Sequence, residues 1–134
     1  AGKAINISKT TAPHAASYPF TSLFSISHGH AVGLFFENFF KFNFYNLNRS
    51  ETSFDLKKRF DLIFNLFDVR NIHDFNSKIT LIKKQAKLED DLSVLNINIM
   101  QNSEKIIGGI NLLRLGNNPV KIDGNDIFKI ISKQ

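Results

Sequence analysis

The segment PHAASYPFTSLFSISHGHAVG, residues 13–33, decides the fold because it contains two signals that interrupt a helix. Pro19 lacks a backbone N–H, so it is expected to kink or break any helix that runs through it. Ser25-Ile26-Ser27 is a second break, after which a new helix begins at His28. The segment therefore predicts two helices joined by a tight turn.

Three of the four histidines of the chain lie in this segment. His14 and His28 would be about 21 Å apart in one straight helix, too far to share a metal ion. A turn between two helices can bring their imidazoles together, and imidazole is a common ligand of zinc and iron. His30 comes two positions after His28 and points elsewhere on a helix, so at most one of these two joins His14.

Two histidines are too few ligands for a protein metal site. No obvious carboxylate accompanies them, and Glu37 and Asp55 are candidates only because they are near in the sequence. The alternative is that both histidines are ordinary polar residues of a mixed segment. A metal site here therefore needs ligands from elsewhere.

The helix that begins at His28 is apolar on more than one side. Its main stripe consists of Ala31, Leu34, Phe35, Phe39 and Phe42. Phe36 and Phe40 lie on another side, which predicts burial all round or a partner surface outside this chain. Ser27 is the predicted cap, and Glu37 and Lys41 are spaced for an i, i+4 ion pair.

Helical spacing of apolar residues continues along most of the chain. The predicted helix starts are Thr52 or Ser53, Asp74, Ser103 and Asp123. Residues 88–95 indicate a short helical turn, and Asn117-Asn118-Pro119 a turn after Gly116. Because no alternating strand of useful length is present, we predict a single all-α, bundle-like domain over residues 1–134.

The composition excludes several classes of protein. The 134 residues carry a net charge of +5 and no cysteine, so disulfides and thiolate metal sites are excluded. No apolar run reaches the roughly 18 residues of a membrane span, and no signal-peptide core is present. We expect a cytoplasmic protein that binds neither membrane nor nucleic acid, since its basic residues form no stripe. A basic helical binding module remains the non-enzymatic alternative.

Several motifs resemble the iron-containing (group III) alcohol dehydrogenases of the dehydroquinate-synthase-like superfamily. The helical C-terminal domain of that family carries a glycine, a His-Ala pair and a Pro-His-Gly-like element. The counterparts here are Gly2, His14-Ala15 and Ser27-His28-Gly29, with later likenesses at Asn117-Asn118-Pro119 and Asp126-Ile127. The resemblance is densest in residues 1–45 and loose in residues 46–115.

The resemblance implies that His14 and His28 are ligands of a divalent metal ion, iron or zinc. The family's other two ligands, an Asp and a His, would lie upstream of Ala1. So would the N-terminal nucleotide-binding domain that holds NAD or NADP, because this chain has no G-x-G-x-x-G motif. The expected protein is the C-terminal domain of a bacterial NAD(P)-linked alcohol dehydrogenase or aldehyde reductase. We expect it to be inactive alone, and a homodimer is one expected state of the full-length protein.

One position departs from the family pattern. Many members have a further histidine four residues after the first ligand, where this chain has Tyr18. A tyrosine can donate a hydrogen bond or relay a proton, although its ordinary pKa of about 10 makes it a poor base at neutral pH. Tyr18 is thus a candidate catalytic residue, with simple packing as the alternative. The departure also argues against a dehydroquinate-synthase-like lyase or cyclase, which remains the second enzymatic alternative.

The string NISKTTAPHAASYPFTSLFSISHGHAV, residues 6–32, resembles a subgroup associated with phosphonoacetaldehyde reduction. This resemblance makes Lys9, Thr10 and Thr11 candidate contacts to a small anionic aldehyde, because a lysine and hydroxyls can bind phosphonate oxygens. The alternative is that Thr10 and Thr11 only begin the helix.

Overall fold

The computed structural model describes residues 2–132, apart from the side chain of Ile5. Its α-helices are α1 (Gly2–Ile7), α2 (Ala12–Phe24), α3 (His28–Tyr45), α4 (Leu56–Phe67), α5 (Ile72–Gln85), α6 (Ile99–Gly108), α7 (Leu112–Leu115) and α8 (Gly124–Ile131). A short 3-10 helix, Leu47–Arg49, follows α3. The described residues contain no strand, only one isolated antiparallel bridge between Ser50 and Val120. The predicted all-α class is confirmed.

Residues 13–33 form two helices joined by a three-residue turn, as predicted. Ser25 ends α2 in the left-handed conformation, with φ 56°, and α3 begins directly after Ser27. Ser27 makes no side-chain capping hydrogen bond. Of the two outcomes predicted for Pro19, a break does not occur, since α2 continues through it to Phe24.

The continuity of α2 depends on a contact with a distant segment. Pro19 has no N–H to donate to the carbonyl of Ala15, four residues earlier. The backbone N–H of Asn111 donates to that oxygen instead, at 3.4 Å. Gly109 permits the approach, because a Cβ there would lie 3.0 Å from the Cβ of Pro19. The chain that leads into α7 is therefore seated on α2.

Helix α3 lies between two hydrophobic clusters, which explains why its apolar residues cover several sides. Ala31, Leu34, Phe35 and Phe39 are buried in a cluster shared with α2, α6 and α8. Phe36, Phe40 and Phe44 face a second cluster, which we call the aromatic cluster. Its buried members are Phe60, Phe64, Ile72 and Phe75. Both apolar sides of α3 therefore pack within the chain, with Phe36, Phe40 and Phe44 only partly buried.

Three predicted helix starts are wrong because a nearby Asp or Asn takes the capping position. Asp55 caps α4, rather than Thr52 or Ser53, and accepts a hydrogen bond from the backbone N–H of Lys58. Asn71 caps α5, rather than Asp74, and Asn98 caps α6, five residues before the predicted start at Ser103. Asp123 caps α8 as predicted, and its capping box with Asp126 satisfies two backbone N–H groups.

The predicted ion pair between Glu37 and Lys41 is replaced by a buried one. Lys83, only 7% exposed, donates to Glu37 at 2.6 Å and to Asp90 at 2.9 Å. Thr80 donates a further hydrogen bond to Glu37. This group ties α3, α5 and the chain after α5 together. Residues 92–96 form a turn in which the backbone N–H of Leu95 donates to the carbonyl of Asp91, so the short helical turn predicted for residues 88–95 is present only in the later part of that range.

Candidate functional site

The turn between α2 and α3 brings His14 and His28 together. Their ring centroids lie 5.4 Å apart, with the ring planes at 60°. An imidazole bound to zinc at about 2.1 Å has its centroid about 3.2 Å from the ion, so two such rings at a tetrahedral angle lie about 5.3 Å apart. The spacing of the two rings therefore fits two ligands of one ion.

Ser17 sets the protonation pattern of His28. Its hydroxyl donates to the backbone carbonyl of His14 at 2.8 Å, which uses the only proton it has. The same oxygen lies 3.1 Å from Nδ1 of His28 and must accept there. Nδ1 of His28 therefore carries the hydrogen, which leaves the lone pair of Nε2 available to a ligand.

The surroundings of His14 lower its pKa. Partial burial lowers this pKa from the ordinary value of 6.5, and electrostatic interaction of the charged ring with His28 and Arg114 lowers it further. A metal ion binds the neutral imidazole, so this shift favours a ligand role. The surroundings of His14 thus favour the unprotonated ring that a metal ion binds.

His30 points away from the pair, as its spacing predicts. Its Nε2 donates to the backbone carbonyl of Glu89 at 2.6 Å, on the chain that follows α5. Glu37 and Asp55, the two carboxylates considered as further ligands, are used by Lys83 and by the cap of α4. Across residues 2–132, no His, Cys, Asp or Glu joins the pair in a group of three that could hold a metal ion.

Tyr18 lies against the histidine pair. The centroid of its ring is 5.5 Å from that of His28. The guanidinium carbon of Arg114 lies 5.4 Å from the centroid of the same ring. A cation over the face of a tyrosine is attracted by the ring, so Tyr18 links Arg114 to the histidines. Tyr18 is close enough to contact a molecule bound at the pair.

Arg114 joins the site although no sequence motif indicates it. Its Nη1 donates to the hydroxyl of Thr10 at 2.6 Å, across 104 positions of sequence. Asn117 donates to the backbone carbonyl of Thr10 at 3.1 Å. Arg114, Thr10 and Lys9 line an open cleft of about 390 Å³. The only sequence feature that points to Arg114 is the local charge pattern. Residues 105–122 contain basic residues and no Asp or Glu.

The three candidate substrate residues are divided between two clefts. Lys9 and Thr10 line the cleft with Arg114. Thr11 precedes α2 without a side-chain capping bond and lines a separate apolar cleft with Phe36 and Phe40. The structure thus groups Lys9 and Thr10 with Arg114 and places Thr11 in a different cleft.

The comparisons with known proteins give no match: no family model, no curated protein and no solved structure is similar to this chain. None of the helices in residues 2–132 combines the length and the hydropathy that crossing a bilayer requires.

Proposed function

We propose that this chain is the helical metal-ligating domain of an NAD(P)-linked, metal-dependent alcohol dehydrogenase or aldehyde reductase. The observation that carries the proposal is the pairing of His14 and His28, whose ring centroids are 5.4 Å apart. Their two free nitrogens offer half of the four ligands that a zinc or ferrous ion takes in such a site. The motifs around Gly2, His14 and His28 give the reaction class.

Each residue of the pair has a defined part in this proposal. His14 and His28 hold the ion, and Ser17 accepts from Nδ1 of His28, which in the neutral ring places the lone pair on Nε2. When bound, the ion supplies a Lewis acid for the oxygen of a small aldehyde or alcohol. Tyr18, beside His28, is placed to donate a hydrogen bond to that substrate.

The remaining parts of the enzyme lie outside this chain in the proposal. A preceding nucleotide-binding domain would hold NAD or NADP, position the hydride and contribute the other two metal ligands. This arrangement accounts for a histidine pair that no other metal-binding side chain in residues 2–132 completes. A cytoplasmic location follows from the reaction class.

The second enzymatic candidate, a lyase or cyclase of the same superfamily, would use the same histidine pair. An activity assay of the full-length protein distinguishes the two candidates, because only a dehydrogenase consumes NAD(P)H in proportion to the aldehyde that is reduced. The basic helical module predicts instead that nucleic acid binds and that binding weakens with salt.

The metal role is tested by nitrogen-15 NMR of the histidine rings of this chain during addition of Zn²⁺. We expect His14 and His28 to respond together and to saturate at one ion per chain, with His28 binding through Nε2. Because only two ligands are present, we expect the binding to be weak. Substitutions H14A and H28A should each abolish the response of the other ring.

His73 provides the matched control, because it is exposed on α5 and lies outside the site. The variant H73A should bind Zn²⁺ as the unaltered chain does. A Zn²⁺ response that survives both H14A and H28A, or that is lost in H73A, would contradict the proposal.

A further inference from the structure

We propose that Arg114, Lys9 and Thr10 form a binding site for a small oxyanion group beside the histidine pair. The role of this site in binding a substrate rests on the proposed function. In that role, the site implies that the substrate is an aldehyde or alcohol with a phosphate, phosphonate or carboxylate group. Arg114 would be the residue that selects it. The binding of the anion itself requires only the residues of this chain.

The first observation is a guanidinium without a carboxylate. Arg114 is half-buried, and no Asp or Glu of residues 2–132 contacts it. A partly buried guanidinium attracts an anion more strongly than one surrounded by water, because the local dielectric constant is lower. A planar guanidinium is suited to bind two oxygens of one anion. The missing counter-ion is therefore assigned to the ligand.

The second observation is that the site is held in place before any ligand binds. One N–H of Arg114 donates to the hydroxyl of Thr10, and Tyr18 lies against its guanidinium carbon. These contacts leave other N–H groups of Arg114 for the cleft. The hydroxyl of Thr10 accepts from Arg114, so its own proton is free to be donated to an anion. Lys9 adds a positive charge on the same cleft.

The third observation is the charge of the two segments that build this surface. Residues 1–36 and residues 105–122 contain no Asp and no Glu. They contribute Lys3, Lys9, Lys105, Arg114 and Lys121 instead. No carboxylate from either segment can weaken the attraction for an anion, which is unusual for a chain in which 12 residues are Asp or Glu.

The position of the cleft links the anion to the reaction. Arg114 contacts the ring of Tyr18, and Tyr18 contacts the ring of His28. An anionic group bound by Arg114 would therefore place the rest of a short molecule beside the histidine pair. Such fixed orientation of a substrate is a substantial part of catalysis.

The inference is tested by titrating this chain with inorganic phosphate, methylphosphonate and acetate at constant ionic strength, followed by amide NMR. We expect the largest shifts at residues 9, 10 and 114. Phosphate and methylphosphonate binding should weaken at least tenfold in R114A, and less in R114K, which keeps the charge but loses the paired donors. Stronger binding of acetate than of the two tetrahedral anions would identify a carboxylate as the natural group.

Two further variants separate recognition from support of the fold. R70A removes the same charge from an exposed arginine before α5 and should change anion affinity less than twofold. T10V keeps Arg114 but removes the donating hydroxyl, and should weaken binding about threefold to tenfold even if R114A fails to fold. Equal effects of R70A and R114A, or unaltered binding in both T10V and R114K, would overturn the inference.

The same titrations distinguish this inference from the proposed function. H14A and H28A should lose the Zn²⁺ response and keep phosphate binding. A chain that responds to Zn²⁺ but binds none of the three anions would overturn only the anion site. A chain that binds phosphate through Arg114 but shows no paired histidine response would overturn only the metal site.

Discussion

The backbone N–H of Asn111 donates to the carbonyl oxygen of Ala15, which is the carbonyl that Pro19 leaves without a donor in its own helix. Together with the bonds of Arg114 and Asn117 to Thr10, this hydrogen bond joins the two segments that build the candidate site. Ala15 follows His14 directly, and Asn111 precedes the helix that carries Arg114. The carbonyl that Pro19 leaves without a donor is thus one of the contacts that position the helix of Arg114.

Asn111 provides the first prediction, because its side chain also caps α7 by accepting from the backbone N–H of Arg114 at 3.0 Å. The substitution N111A should lower the free energy of unfolding by about 1 kcal/mol through loss of the cap. It should also weaken phosphate binding several-fold, because α7 positions Arg114. Urea unfolding and anion titration measure the two effects.

Asn98 gives the control for this prediction, since it caps α6 in the same way by accepting from Gln101. N98A should cost similar stability and leave phosphate binding unchanged. If N98A and N111A reduce anion affinity equally, the loss reflects general destabilisation, and α7 has no special part in the site.

The second prediction concerns the protonation pattern of His28. In S17A the Nδ1 of His28 loses its acceptor, so both neutral forms of the ring become populated. We expect a fall in the Nδ1–H population in nitrogen-15 spectra and Zn²⁺ binding weaker by about tenfold. Ser22 makes the same kind of hydrogen bond to Pro19 on α2 without a histidine, so S22A should change neither quantity. Equal Zn²⁺ affinity in S17A and S22A would refute this role of Ser17.

The third prediction concerns the buried lysine between α3 and α5. Burial lowers the pKa of Lys83, but its hydrogen bonds to Glu37 and Asp90 raise it by more, so Lys83 stays charged. K83M leaves both carboxylates without their cation and should lower the free energy of unfolding by about 2–3 kcal/mol. K84M, at the exposed neighbouring position, should have almost no effect in the same urea titration. A loss below about 0.5 kcal/mol in K83M would mean that the pair contributes no net stability.

The fourth prediction is a dependence of stability on pH. Arg49 donates to Asp126 at 2.6 Å and lowers the pKa of that carboxyl. A group whose pKa is lower in the folded state stabilises the fold above its unfolded pKa of about 3.9, and this contribution is lost as the pH falls through the lower folded value. D126N should therefore unfold at lower urea than the unaltered chain at pH 6, and the difference should close below about pH 4. A difference that is constant from pH 6 to pH 3 would assign the effect to the cap of α8 alone.

Local sequence patterns predict some turns and helix caps of this fold, but they do not predict contacts between distant segments. The turn at residues 25–27 and the cap at Asp123 were predictable, because each depends on neighbouring residues alone. The caps of α4, α5 and α6 were wrong because several Asn, Asp and Ser side chains compete within a few positions, and packing of the helix selects one. The buried partner of Glu37 was not predictable, since Lys83 lies 46 positions later.

The candidate site also has one part that the local sequence predicts and another part that it does not. The approach of His14 and His28 follows from the break between two helices, which the sequence contains in one short segment. Arg114 was missed because its contact with Thr10 spans 104 positions and depends on how α7 is seated on α2. The separation of Thr11 from Thr10 was also beyond local reasoning, because the start of α2 turns adjacent side chains toward different clefts.

The claim that His14 and His28 bind one metal ion is tested most directly by crystallography. Crystals of this chain are grown with Zn²⁺, and diffraction data are collected on both sides of the zinc absorption edge. Our account predicts one anomalous peak between the rings of His14 and His28, about 2.1 Å from Nε2 of His28 and from one nitrogen of His14. A peak at His30 or His73 with none at this pair, or no peak at zinc concentrations that saturate the histidine NMR response, would contradict it.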